Sequence, residues 1–175
     1  MNKAIFLDRD GVLNVDLGYV YKKSDFSIIE GVIEALTFFS GIGFMLIVIT
    51  NQSGIRRGLY SEEEFLELNG FMLDLFKKAS IEITDVFYCP HSPADNCSCR
   101  KPKTELIDTA VAKYNIDRSA SYLIGDKLTD IEAGRSAGLA KSFLVDNGFA
   151  GANKTNEVES FNNLSEIAKQ WMQIK

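Results

Sequence analysis

Short apolar runs alternate along the chain with longer stretches whose apolar residues recur every three or four positions. The runs AIFL (4–7), FMLIVIT (44–50), DVFYC (85–89), SYLIG (121–125) and KSFLV (141–145) are strand-sized and rich in Ile, Val and Phe. Continuous runs of this length predict strands buried on both faces. Between them, residues 31–40 carry Val32, Ile33, Leu36 and Phe39 at helical spacing. Ser61 followed by Glu64 is a capping-box signature, opening a helix with Phe65, Leu68, Met72, Leu75 and Phe76 on one side. Helices are also expected over 103–114 and 129–137, and a last one over 163–172 closes the chain. The strand–helix alternation predicts a doubly wound α/β fold, a mostly parallel sheet with helices on both faces. No repeat or linker interrupts it, so residues 1–175 read as a single domain. The polar stretch 150–160 is expected to be a surface connection, and Trp171 to serve packing.

Composition narrows the function. A chain of 175 residues can bury a real core. Its formal net charge of −5 argues against a general nucleic-acid binder, which needs a basic face. The apolar run before Asp8 is too short for an export signal, and no run is long enough to span a membrane. The cytoplasm is therefore the expected compartment, with no membrane partner, and there thiols stay reduced. Three cysteines would leave one unpaired in any case.

Candidate chemistry gathers at the carboxyl ends of the predicted strands, where open α/β sheets bind ligands. Asp8 ends AIFL and opens DRDG; Thr50 ends FMLIVIT and opens TNQSG; Asp126 ends SYLIG, with Asp130 four residues on. Asp is common at strand ends, so DRDG alone says little. Convergence says more. Asp8, Asp10, Asp126 and Asp130 on one rim would repel one another unless a cation sat among them. Hard oxygen ligands suit Mg²⁺. A carboxylate fixed beside that ion can attack phosphorus. A second carboxyl two residues on, which shares its side if the chain stays extended, can pass protons to and from the leaving group and water. A Lys or Arg is still needed for the transferring phosphoryl group.

These residues resemble the haloacid dehalogenase (HAD) phosphatase superfamily, whose four motifs occur in order: DRDG at 8–11, Thr50, Lys101, and GDKLTD at 125–130. The resemblance implies Asp8 as nucleophile and Asp10 as general acid and base. It implies Mg²⁺ on the carboxylates of Asp8 and Asp126 and the main-chain carbonyl of Asp10. Thr50 and Lys101 would hold the phosphoryl group, with Lys127 and Asp130 in support. A receiver-like phospho-switch also uses an acidic Mg²⁺ site on an α/β sheet, but Asp10 favours turnover.

The stretch CPHSPADNCSC holds every cysteine and the one histidine of the chain. A catalytic pair, a redox device and a metal clamp all fit such a cluster. The spacing C-x-H-x5-C-x-C favours the clamp, because Cys89, His91, Cys97 and Cys99 make a Cys₃His set that leaves a zinc ion no open position. Arg100 and Lys101 follow immediately, so the clamp would fix the loop that presents them.

This loop narrows the resemblance to the zinc-loop branch, which includes the heptose 1,7-bisphosphate phosphatases and the histidinol-phosphate phosphatase domain. TNQSGIRRG, GDKLTDIEAG and NVDLGYV resemble the heptose enzymes, while the five-residue gap between His91 and Cys97 is more like the histidinol-phosphate domain. The heptose resemblance implies a small sugar-phosphate substrate that loses its C7 phosphate; no nucleic-acid partner is expected of so acidic a chain, and a monomer is expected. Residues 11–49 leave no room for a large cap. Substrate contacts are expected from Asp16, Gly18, Tyr19, Asn51, Gln52, Ser53, Arg57 and Arg100.

Overall fold

The computed structural model describes residues 1–146 and 158–173. Strand β1 (Ala4–Leu7) is buried at every position, so neither of its faces can meet water. It accordingly lies inside a six-stranded sheet of order β3-β2-β1-β4-β5-β6. The other strands are β2 (Met45–Asn51), β3 (Asp85–Cys89), β4 (Tyr122–Gly125), β5 (Lys141–Val145) and β6 (Ser160–Phe161). Every strand pair is parallel. The expected mostly parallel sheet is thus parallel throughout the described residues.

Alternate side chains of the strands feed two cores. Ile5, Leu7, Leu46, Val48, Ile124 and Phe143 pack on one face against α1 (Val32–Gly41), α3 (Glu62–Lys78) and α6 (Leu164–Gln173). Ala4, Phe6, Ile47, Ile49 and Leu123 pack on the other against α4 (Glu105–Tyr114) and α5 (Leu128–Ser136). Helices cover both faces, as a parallel sheet requires. The Ser61–Glu64 capping box forms in full: the Glu64 amide donates to Ser61 Oγ at 3.1 Å and the Ser61 amide to Glu64 Oε2 at 2.7 Å. Trp171 of α6 meets Phe39 and Tyr122 edge-on, with centroids at 5.1 and 4.7 Å.

Differences from the sequence pattern are local. Strand β2 runs one residue past the apolar run because Asn51 still pairs with Cys89. Strand β4 begins at Tyr122, since the Ser121 hydroxyl instead donates to Asp117 O at 2.6 Å and accepts from the Ala4 amide at 3.0 Å. The four-residue helix α2 (Ser53–Arg56) and the two-residue strand β6 are too short to leave a periodic trace. Ser160 of β6 falls within the stretch expected to be a connection; most of that stretch lies outside the described residues. Among the described residues, no helix is long and apolar enough to cross a membrane.

Register sets up the site. Leu7 pairs with Val48 on one side and Ile124 on the other, so Asp8, Thr50 and Asp126 reach the same carboxyl rim. Asn51 pairs with Cys89, so the start of the cysteine loop stands level with the turn after β2.

Candidate active site

Three carboxylates converge where β1 and β4 end. Asp8, Asp126 and Asp130 are all buried, and one oxygen of each lies within 4.8 Å of the others. Lys101 reaches them from the loop after β3. Its ammonium contacts Asp8 Oδ1 at 2.9 Å and Asp130 Oδ1 at 2.6 Å, and donates to the Ile49 carbonyl at 2.6 Å. The side chain is 2% exposed. Asp130 also accepts from the Lys127 amide at 3.0 Å, which holds it at the first turn of α5. Gly125 lets this happen: a Cβ there would lie 2.2 Å from that of Asp130.

Burial and charge compete in this cluster. Burial raises the proton affinity of Asp8, but Lys101 and Lys127 outweigh it and hold the carboxyl below its ordinary value. Burial works against the charged Lys101, yet Asp130 and Asp8 hold its affinity above normal. Asp126 has only the more exposed Lys127, 3.4 Å away, and that cation does not outweigh burial. Burial and then the charge of Asp8 push Asp126 up to about 7, and its Oδ1 is buried without a hydrogen-bond donor. A divalent cation beside Asp8 and Asp126 would remove both penalties, so the donor set fits Mg²⁺.

The carboxylate of Asp10 stands apart from the other three. The chain turns after Asp8, with the Leu13 amide donating to Arg9 O at 2.8 Å, rather than continuing extended. Arg9, 1% exposed, grips Asp10 from Nε at 3.1 Å and Nη2 at 2.9 Å. Its Nη2 also donates to Val20 O at 2.7 Å, and its guanidinium lies 5.6 Å from the Phe65 ring centroid. Asn14 Nδ2 and Gln52 Nε2 add donors to Asp10, each at 3.0 Å. Arg9 and Asn14 were not anticipated, because nothing in DRDG says that its Arg turns inward.

The turn after β2 serves several groups at once. Thr50 is buried, with its hydroxyl oxygen accepting from Gln52 Nε2 at 2.8 Å. Asn51 clamps the main chain of Lys101, accepting from its amide at 3.1 Å and donating to its carbonyl at 3.2 Å. The Gln52 amide donates to Cys89 O at 2.7 Å and that of Arg56 to Pro90 O at 3.2 Å, joining this turn to the cysteine loop.

In that loop Cys89 Sγ lies 3.0 Å from Cys99 Sγ and 3.5 Å from Cys97 Sγ. His91 Nδ1 lies 3.3 Å from Cys99 Sγ and 3.6 Å from Cys89 Sγ. A tetrahedral zinc site with Zn–S bonds of ~2.3 Å has sulfur–sulfur edges of ~3.8 Å, so the four ligands are already gathered to about that size. Burial, and then the neighbouring thiol of Cys99, push the Cys89 proton affinity up, so without a cation the cluster resists holding several thiolates. The set fits a closed zinc site. Lys103 Nζ ties the loop to its own carbonyls, donating to Cys97 O at 2.6 Å and Asn96 O at 3.0 Å.

One cavity of about 360 Å³ opens above the carboxylates and the turn after β2, with Asp126 and the four cysteine-loop ligands outside its lining. Asp8, Asp10, Thr50, Lys101 and Asp130 line its floor, and Asp16, Gly18, Tyr19, Asn51, Gln52, Ser53, Arg57, Arg100 and Lys127 complete the lining. Every residue expected to touch substrate therefore borders it, joined by Tyr60 and Thr129, which sequence reasoning passed over. At the mouth, Arg57 lies 5.8 Å from the ring centroid of Tyr19, a residue held at φ 55° in the left-handed region. Arg100 is turned toward the cysteine loop, donating from Nη1 to His91 O at 3.2 Å. Lys127 lies 3.4 Å from Asp126 and 3.7 Å from Asp16. The floor is suited to attack on phosphorus, and the rim carries the positive charge a second anionic group needs.

Known proteins are similar to this chain in sequence and fold. A family model described as HAD-hydrolase-like matches residues 98–167. The D-glycero-beta-D-manno-heptose-1,7-bisphosphate 7-phosphatase of Haemophilus influenzae is 42% identical over 154 residues, covering 85% of this chain and 84% of that protein. The D-glycero-alpha-D-manno-heptose-1,7-bisphosphate 7-phosphatase of Campylobacter jejuni is 43% identical over 143 residues, covering 82% of each. The crystal structure of D,D-heptose 1,7-bisphosphate phosphatase from B. bronchiseptica, complexed with magnesium and phosphate, superposes with a TM-score of 0.86 at 27% identity, covering 99% of each chain.

Proposed function

Since the chain belongs to the heptose bisphosphate phosphatases of the HAD-like hydrolases, we propose that it removes the C7 phosphate of D-glycero-D-manno-heptose 1,7-bisphosphate. The observation that carries this reading is the buried Asp8, kept ionised by Lys101 on the floor of a cavity rimmed by Arg57, Arg100 and Lys127. An ionised, desolvated carboxylate is a competent nucleophile, and basic residues at the mouth suit a substrate with a second phosphate.

Asp8 attacks phosphorus and forms an aspartyl-phosphate while the C7 oxygen departs with a proton from Asp10. Water, giving its proton back to Asp10, then attacks the phosphorus, releasing inorganic phosphate and restoring Asp8. Lys101 holds a phosphoryl oxygen and balances the charge of Asp8, and the Thr50 hydroxyl donates to a second one. Mg²⁺ would rest on the carboxylates of Asp8 and Asp126 and the main-chain carbonyl of Asp10, neutralising charge on the phosphoryl oxygens. Asp130 and Lys127 keep this group in place. Zinc on Cys89, His91, Cys97 and Cys99 would hold the loop that carries Arg100 and Lys101. Asp16, Gly18, Tyr19 and Arg57 are placed to contact the sugar and its C1 phosphate.

Relatives of similar identity bear names for both anomers. The test is therefore phosphate release with Mg²⁺ from both heptose bisphosphate anomers and from histidinol phosphate, side by side. One heptose anomer should be turned over with the highest kcat/KM, and Asp8→Asn should abolish its turnover. Equal or better turnover of histidinol phosphate would overturn the assignment.

A further inference from the structure

Tyr60 lies just before the N-cap of α3, is 5% exposed, and borders the cavity. Its hydroxyl donates to Gln52 Oε1 at 2.6 Å, within the buried interior. Burial pushes Tyr60 up to about 12, so the hydroxyl keeps its proton at any working pH. Its ring is fixed too. It stacks on Tyr21 with centroids 5.2 Å apart, and it occupies the space beside Gly54, where a Cβ would lie 2.1 Å from the ring.

An amide side chain has one accepting and one donating end; the Asp10 carboxylate, which only accepts, takes the donating end, and the Tyr60 hydroxyl anchors the accepting one. With Oε1 committed to Tyr60, Nε2 must face the other way. Its two protons go to Asp10 Oδ2 at 3.0 Å and Thr50 Oγ1 at 2.8 Å. Because the Thr50 oxygen accepts there, its own proton is left to point elsewhere, and the cavity is the side on which a phosphoryl oxygen would lie. One amide thus steers the proton-transfer group and the phosphoryl-contacting hydroxyl together.

We propose that Tyr60 is a positioning residue for phosphoryl transfer, acting through Gln52 on Asp10 and Thr50. The inference rests on the reading that Asp10 and Thr50 serve the reaction. Tyr60 itself needs no contact with substrate.

The test is a mutant cycle of Tyr60→Phe and Gln52→Met with Mg²⁺, assayed on heptose bisphosphate and on p-nitrophenyl phosphate. Tyr60→Phe keeps the ring, its stacking and its volume. Loss of one buried hydrogen bond should lower kcat by about tenfold, with KM nearly unchanged. In the Gln52→Met background, where the hydroxyl has nothing to orient, the same substitution should cost no further activity. Full kcat in Tyr60→Phe, or an undiminished loss in the Gln52→Met background, would overturn the proposal. A merely structural Tyr60 would lower the melting temperature alike in both backgrounds. Asp10→Asn, run in parallel, separates the two levels: full activity there would remove the underlying reading, and this inference with it, whatever Tyr60→Phe does.

Discussion

At the scale of single residues, the site depends on one ammonium shared by two buried carboxylates. Lys101 lies within ion-pair distance of Asp8 and Asp130 and donates to a strand carbonyl, so a shift in any of these partners disturbs the others. Gly125 guards this arrangement from behind. Gly125→Ala would drive a methyl group against Asp130, and overpacking of this kind costs ~1–3 kcal/mol. Urea unfolding should show that loss, and kcat should fall with it as Asp130 releases Lys101. Asp8, Thr50, Lys101 and Asp126 were legible in the sequence because each ends a strand or follows the cysteine loop. Arg9 and Tyr60 were not. An Arg between two aspartates looks solvated, and a Tyr before a helix cap looks like packing. The local turn after Asp8 folds Arg9 onto its neighbour Asp10, and the loop between β2 and α3 brings Tyr60 to Gln52.

At the scale of elements, the loop from Cys89 to Lys101 links a Cys₃His set that fits zinc to the ammonium beside Asp8. Zinc removal should free Arg100 and Lys101 together, since they directly follow Cys99. Treatment with a zinc-selective chelator should lower both the melting temperature and kcat, and restored zinc should recover both. Unchanged values in the demonstrably zinc-free protein would contradict a structural clamp. A second joint ties β3 to α4: Asp85 Oδ2 accepts from Lys113 Nζ and the Tyr114 hydroxyl, each at 2.8 Å. Burial opposes the charge on Asp85, but these bonds hold its carboxyl below the ordinary value. A depressed folded value means the bonds stabilise fully above the unfolded carboxyl's range and cease to do so as pH falls through the folded value. Asp85→Asn should therefore lower the melting temperature at neutral pH, with the gap to wild type closing in acid. The cysteine spacing made the gathering of Cys89, His91, Cys97 and Cys99 readable in advance. The Asp85 joint was not, because its partners lie more than a helix away in sequence.

At the scale of the whole molecule, function follows from strand order. Placing β1 beside both β2 and β4 brings three loops distant in sequence to one rim, and the parallel sheet aims them the same way. Buried runs alternating with amphipathic segments revealed this plan, down to helices on both faces. The pattern could not reveal β6, whose two residues depend on pairing with β5 rather than on their own apolar character. Nor could it show that Asp10 would turn toward Arg9, because the tight turn after Asp8 breaks the extended spacing. Between Asp10 and Thr50 the chain forms a short 3-10 turn, helix α1 and strand β2 rather than a large cap over the cavity. The most direct measurement is a ³¹P NMR time course of heptose 1,7-bisphosphate with the protein and Mg²⁺. The account predicts one equivalent of inorganic phosphate, loss of the C7 resonance and retention of the C1 phosphate. Release of the C1 phosphate first, or no release from either anomer, would contradict it.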